Sequence, residues 1–412
     1  MSTIAAEPPT GIDDRLARRN AVVLAVAQAL AGANTTVVFG TAGLVGTMLA
    51  PDPGLATVPV STFVLGLWAG TLPVGYIARR FGRLVAFEIG TLLGFAAGLL
   101  CATAVVFAWF PLFCAGTFAG GLYGSAHQSY RFAAADTASE AFRPKAVSWV
   151  LAGGVMAGVF GPQLVIVTKD LMPQYTFAAG YLAQAVVAVV AAGVLLLVRF
   201  PPPAAAAAGR SGGPPVRPLP VIFRQPRLIM AVICGLASYA TMNLMMTAAP
   251  VAMVACNHSV TDAALGLQWH VMAMYAPSFV TGSLIARFGS ARVIAAGLAL
   301  TAAAGAVGWA GVSLAHFWVA LILLGIGWNF AFVGATALVT ACHTPAERNK
   351  VQAVNDFFVF GAMAIGSFAS GQMLARHGWP LVVEVVLGAV LATVALLGWV
   401  ALAGRRRAAP PS

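Results

Sequence analysis

Apolar residues run through this chain in blocks of about 20 to 30, parted by short polar or Pro- and Gly-containing breaks. At 1.5 Å rise per residue, about 20 apolar residues carry a helix across a bilayer. Twelve blocks reach that length: residues 20–49, 57–78, 84–107, 109–134, 145–168, 175–199, 228–255, 262–286, 292–313, 316–341, 350–375 and 379–404. Their breaks carry turn and charge signals, such as Pro51-Asp52-Pro53-Gly54 and Arg79-Arg80-Phe81-Gly82-Arg83. Residues 200–227 differ from the other breaks. Pro, Ala and Gly dominate there, and Arg199, Arg210, Arg217, Arg224 and Arg227 stand in or beside them. Such a segment buries no core of its own and is expected to be a linker. The chain therefore reads as a cytoplasmic segment 1–19, a six-helix bundle 20–199, a cytoplasmic linker 200–227, a second six-helix bundle 228–404 and a cytoplasmic tail 405–412.

Composition narrows the class. Of 412 residues, 60% are hydrophobic and only 8% charged, against about 25% charged in a soluble domain. So few charges exclude a cytosolic enzyme or a secreted domain. The first apolar block is too long for the apolar core of a signal peptide, so it reads as a retained helix. The formal charge is +11, and its placement sets the topology. With the N-terminus in the cytoplasm, twenty of the 23 Lys and Arg fall on cytoplasmic segments. Lys169 and Arg376 fall outside, and Arg131 lies within a span. That asymmetry puts both termini, with Arg405-Arg406-Arg407, in the cytoplasm. It also removes a nucleic-acid partner, because the charge is scattered over short loops on one face.

The chemistry of enzymes is missing from the pattern. No HExxH, phosphate-binding loop or dinucleotide fingerprint occurs. Cys101, Cys114, Cys234, Cys256 and Cys342 lack metal-site spacing and read as buried apolar residues. Neither metal nor cofactor is expected, and direct ATP drive is excluded by the same reading.

The two halves repeat. Gly75 with Arg80-Phe81-Gly82 recurs as Gly282 with Arg287-Phe288-Gly289, at an offset of 207. Ala141, Arg143 and Lys145 recur as Ala346, Arg348 and Lys350, at an offset of 205. Six plus six helices, a basic linker and the Gly75-x-x-x-x-Arg80-x-Gly82-Arg83 loop resemble the major facilitator superfamily over about residues 16–407. The resemblance implies an all-α membrane protein: twelve transmembrane helices in two pseudo-symmetric six-helix bundles around a central cavity, working by alternating access. It also implies that Gly75, Arg80, Gly82, Arg83 and Arg287 belong to gating loops, with Asp136 as the acid that pairs with the loop arginines. The family's loop Asp is replaced by Arg79, and its final Arg by Leu84. Gly116, Ala119 and Gly120 stand where an arginine signature is common in the fourth span. Gly154, Gly158, Gly161 and Pro162 partly match the Gly-Pro pattern of antiporters. The stretch from Ala27-Gln28 to Asn34, with Leu55 to Ser61, resembles superfamily members linked to riboflavin uptake.

Polar residues inside spans are the candidate site, because charge at the bilayer centre is costly. Tyr123, His127 and Arg131 recur at i, i+4 and i+8 and share a helix face. His127 suits substrate or proton binding. Arg131 suits an anionic group, or a pair with Asp136. Asn34 and Asn243 lie near mid-span at equivalent depth, as ligand contacts or as cross-helix bonds. His270, beside Gln268 and Trp269, and the pair Trp328-Asn329 suit a planar, partly apolar ligand; packing is the alternative for each. Trp328 is the repeat counterpart of Tyr123. Asp356 is expected to latch onto Arg80 or Arg83 in the outward-open state, or to serve as the coupling carboxylate.

These readings converge on a monomeric secondary transporter of a small organic solute in the inner membrane, with protons as the coupling ion. Proton-linked export of a drug or metabolite and uptake of a vitamin-like aromatic solute such as riboflavin stand as alternatives. A non-transporting receptor or scaffold of the same fold is the reading from another class.

Overall fold

The computed structural model describes residues 14–139, 142–200, 217–344 and 347–408. Among them every regular element is helical. The order is α1 (Asp14–Leu49), a short 3-10 turn (Pro53–Leu55), α2 (Val58–Phe81), α3 (Arg83–Val106), α4 (Phe110–His127), α5 (Tyr130–Asp136), α6 (Arg143–Thr168) and α7 (Ala178–Leu195). After residues 201–216 come α8 (Leu219–Ile222), α9 (Pro226–Ala255), α10 (Val260–Tyr275), α11 (Ser278–Phe288), α12 (Ser290–Ala310), α13 (Leu314–Thr340) and α14 (Arg348–Ala408). Nine of the described helical stretches are long and apolar enough to cross a membrane.

These helices account for all twelve predicted spans, with three departures. The fourth span is broken into α4 and α5 by a tight turn, where Ser129 donates to the Ala126 carbonyl at 3.0 Å. The eighth is broken into α10 and α11 at Pro277, which has no N–H to continue the ladder. The eleventh and twelfth run together as α14, parted only where Gly378 turns left-handed (φ 71°) two residues before Pro380. Helix also replaces part of the predicted flanks. α1 begins at Asp14, and α14 continues through Arg405-Arg406-Arg407. Ala141 and Ala346 of the second repeat match, Arg210, and most of the linker lie outside the described residues.

The repeat is visible in the backbone. Gly82 and Gly289 both adopt positive φ, 97° and 83°, where one helix ends and the next begins. In one half α3 approaches α4 so closely that a Cβ on Gly90 would lie 2.6 Å from the Ala126 methyl. In the other, a Cβ on Gly297 of α12 would lie 2.4 Å from the Ala331 nitrogen of α13. Small residues at these crossings let the backbones meet where dispersion and packing hold helices together in lipid.

Packing between the halves is one-sided. A single apolar core runs through both halves, from Val37 and Phe63 to Met245, Leu267 and Val383. It includes the end where Thr57 Oγ1 donates to the Ser367 carbonyl (3.0 Å) and Gln372 Nε2 to the Gly54 carbonyl (3.2 Å). Toward the other end the cores separate. Leu24, Phe87, Tyr130 and Phe142 cluster within the first half, and Ile222, Leu228 and Val351 within the second. That is the end bearing the Gly82 and Gly289 turns and most of the arginines. A cavity therefore lies between the halves, sealed at one end and open at the arginine-rich end.

Candidate functional site

The cavity holds about 310 Å³, within the size range of small-molecule sites. Its two walls come from different halves and differ in chemistry.

The first wall is polar. His127 ends α4, is 6% exposed, and lies between two residues of α1. Gln28 Nε2 sits 3.3 Å from His127 Nδ1, and Thr35 Oγ1 sits 3.0 Å from Nε2. The amide of Gln28 donates, so Nδ1 accepts and Nε2–H donates to Thr35. Both ring nitrogens are thus fixed and the imidazole is neutral in this arrangement. Gln28 and Thr35 line the cavity beside it. Their spacing of seven puts them on one face of α1.

The second wall is aromatic. Trp328 stacks on Phe332 with ring centroids 5.2 Å apart and planes 12° apart. Tyr239 meets both edge-on, at 5.3 and 4.8 Å. Tyr275 and Phe360 extend the surface at 6.4 Å from Trp328 and 6.2 Å from Tyr239. Rings locked this way present flat, rigid apolar area. Arg131 of α5 and Asp356 of α14 line the open end, one from each half.

Of the eight expected binding residues, His127, Arg131 and Trp328 line the cavity. The other five do not. Tyr123 packs behind the wall, so close to α3 that a Cβ on Gly94 would lie 2.4 Å from its ring. Asn34 turns away one helical position from Thr35, and a rotation of about 100° separates neighbours on a helix. Asn243 Nδ2 donates to the Met363 carbonyl at 2.9 Å and ties α9 to α14. His270 donates from Nδ1 to the Leu321 carbonyl at 2.7 Å, joining α10 to α13. Asn329 mends the break at Pro277. It donates to the Met274 carbonyl (2.7 Å) and Ser278 Oγ (2.6 Å), and accepts from Thr281 Oγ1 (2.6 Å).

The gating residues also sort out. Arg83 pairs with Asp136 across the turn, so Asp136 is not the partner of Arg131. Arg80 and Arg287 lie over the rings of their neighbours Phe81 and Phe288. Gly75 is on α2, and Gly82 supplies the positive φ of the turn. Asp356 lines the cavity and makes no ion pair with Arg80 or Arg83 while the arginine-rich end is open; the latch belongs to the state in which that end is closed. Gln28 entered the sequence reading only within the stretch from Ala27 to Asn34, and Thr35, Tyr239, Tyr275, Phe332 and Phe360 were not singled out. A hydroxyl or a lone aromatic in an apolar span looks the same as packing.

Comparison with known proteins defines the class. The family model of the major facilitator superfamily matches residues 24–277 and 231–412. The chain belongs to that superfamily, and is a multi-pass plasma-membrane transporter with a small-molecule substrate. Among its relatives is the riboflavin transporter RfnT of Brucella anthropi, 49% identical over 368 residues, which are 89% of this chain and 92% of that protein. An uncharacterized MFS-type transporter of Bacillus subtilis, YddS, is 30% identical over 386 residues, 86% of each chain. In fold the chain resembles crystal structures of the nucleoside transporter NupG (TM-score 0.73, 14% identity, 92% of this chain and 99% of that one) and of the POT family transporter PepTSo (TM-score 0.70, 12% identity, 96% and 99%).

Proposed function

We propose that this chain carries riboflavin, or a closely related flavin, across the membrane by alternating access, driven by the proton gradient. The observation that supports this reading most is the pairing of a rigid aromatic wall with a hydrogen-bonding wall across one cavity. A flavin is a flat tricyclic ring with an apolar edge, a polar edge of alternating carbonyls and N–H, and a hydroxylated tail. Trp328, Phe332, Tyr239 and Tyr275 suit the ring face. Gln28, Thr35 and His127 suit the polar edge, because a site built to satisfy donors and acceptors rejects ligands that lack them. The 49% identity to a riboflavin transporter supports the same substrate. The charge asymmetry supports cytoplasmic termini, and hence a cavity open to the cytoplasm in this state. The boundaries 20–199 and 228–404 serve as the two rocking bodies.

The test is flux of radiolabelled riboflavin in proteoliposomes holding the purified protein, measured inward and outward. Saturable flux that excess unlabelled flavin abolishes supports the reading, and its direction under a pH gradient separates uptake from export. Tight riboflavin binding with no flux in either direction would favour the receptor reading. Neither binding nor flux would remove the flavin assignment.

A further inference from the structure

The mouth of the cavity holds two opposite charges that do not touch. Arg131 lies on α5 of the first half and Asp356 on α14 of the second. Among the described residues they are the one formal cation and the one carboxylate lining the cavity. Among the described residues neither has an ionic partner: the ion pairs there join Arg83 to Asp136, Lys169 to Asp170 and Arg217 to Glu347. The polar neighbour of Asp356 is Asn355, whose Nδ2 donates at 3.2 Å. The guanidinium of Arg131 lies 4.9 Å over the ring of Phe132. The two charges stand beyond ion-pair distance of each other.

The other groups around Asp356 offer it no cation. His127 on α4 is fixed as the neutral imidazole by Gln28 and Thr35. Tyr239 on α9 and Tyr275 on α10 are phenols, Trp328 on α13 is an indole, and Gln352 on its own helix is an amide. A carboxylate half-buried among aromatic rings loses water without gaining a counter-ion, which is costly. Its charge is relieved in one of two ways, by a proton or by the arginine opposite.

We infer that Asp356 is a proton site for which Arg131 competes: Asp356 takes a proton from the aqueous cavity while the mouth is open, and Arg131 replaces that proton when the halves close. The proton goes back to water as the ion pair forms. Protonation then holds the mouth open, and deprotonation lets the two halves lock. This rests on the transport reading above, and not on flavin being the substrate.

The experiment needs no substrate. Ser129 lines the same cavity, so Ser129→Cys reports whether the mouth is open through its rate of labelling by a bulky thiol reagent. The rate is normalised at each pH to Ser129→Cys in a D356N background, which cancels the reactivity of the thiol itself. The normalised rate is expected to fall as pH rises, approaching about tenfold per pH unit once the site has lost its proton. A flat profile overturns the proposal. R131Q should give the same flat, open profile as D356N, and serves as the normaliser if D356N does not fold. R131D should hold the mouth open, and R131D combined with D356R should restore closure; a swap no better than R131D alone excludes Arg131 as the partner. In proteoliposomes, D356N, held open, should not complete the transport cycle and should lose riboflavin flux. D356N protein that accumulates riboflavin like the wild type would also overturn the proton site. A wild-type protein that carries no riboflavin but keeps the pH-dependent labelling removes the substrate assignment and leaves the proton site standing.

Discussion

The two walls of the cavity come from duplicated helices, yet only the frame was kept. At an offset of 205, Tyr123 corresponds to Trp328 and His127 to Phe332. The crossings that carry them are alike: Ala126 seats against Gly90, and Ala331 against Gly297. The turns at Gly82 and Gly289 are alike as well. What differs is what the frame presents. One wall ends its helix at an imidazole held by Gln28 and Thr35. The other continues unbroken past a stacked indole and phenyl. A duplicated bundle thus offers two unlike surfaces to one cavity, one from each half.

That contrast is broken most severely from the aromatic side. Trp328→Ala removes the stack on Phe332 and the edge contacts to Tyr239 and Tyr275. Stacking of a heteroaromatic ligand on such a surface contributes about 1–3 kcal/mol, so riboflavin affinity should fall by about thirtyfold, a loss of about 2 kcal/mol. Quenching of flavin fluorescence in a titration of purified protein measures this. An unchanged Kd would place the ring elsewhere. His127→Phe is the sharper test, because it writes the residue of one wall into the other. It keeps an aromatic ring and deletes the polar edge, leaving Gln28 and Thr35 without their shared partner. A weakening of about tenfold is expected, the worth of one strong hydrogen bond. Tighter binding would mean that both walls act only by stacking.

The same contrast shows what a sequence makes visible. The apolar helices and the repeat were legible because lipid demands long apolar runs and loops concentrate charge. His127, Arg131 and Trp328 were legible because ionisable groups and large amphipathic rings stand out in such runs. Thr35 was not, although it neighbours Asn34, because the facing of a helix position depends on its rotation against neighbours. Tyr239 and Tyr275 were not, because an aromatic in an apolar span carries no mark of facing a cavity. Asn329 was misread for a related reason. Its amide looks like a ligand contact until Pro277 is seen to leave a gap that needs mending.

The loops that lead into α6 and α14 repeat the contrast outside the membrane. The counterpart of Phe142 at an offset of 205 is Glu347. In the first half Arg18 lies 5.5 Å over the ring of Phe142. In the second, Arg217 grips buried Glu347 through Nε and Nη2, both at 2.7 Å, and its own backbone N–H adds a third bond at 3.1 Å. Thr344 N–H adds a fourth at 2.9 Å. Arg217, and after it the Thr344 amide, hold this carboxyl well below the usual carboxylate range. A depressed folded value means the stabilisation is complete above the ordinary carboxylate range and is lost as pH falls through it toward the folded value. The melting temperature of the purified protein should therefore drop on acidification below that range, and Glu347→Gln should flatten that part of the profile. An identical acid profile in the variant would show that Arg217 and Glu347 do not anchor the second half.

The smallest expected effect separates the two mid-span asparagines. Asn243 is buried, and its Nδ2 reaches the Met363 carbonyl on a neighbouring helix. Asn34 is equally buried, but neither Nδ2 nor Oδ1 has a partner among the described residues. Deleting a cross-helix bond inside a membrane protein costs about 0.6 kcal/mol on average. Deleting an amide that makes no bond relieves its desolvation instead. Asn243→Ala should therefore lower thermal stability slightly, while Asn34→Ala leaves it unchanged or raises it. Riboflavin affinity should be the same in both, since neither side chain lines the cavity. A loss of affinity in Asn34→Ala alone would mean that α1 rotates during transport and brings Asn34, in place of Thr35, onto the polar wall. Thr35→Val measured beside it decides the point: a static α1 makes Thr35 the residue that matters, and a rotating one makes both matter.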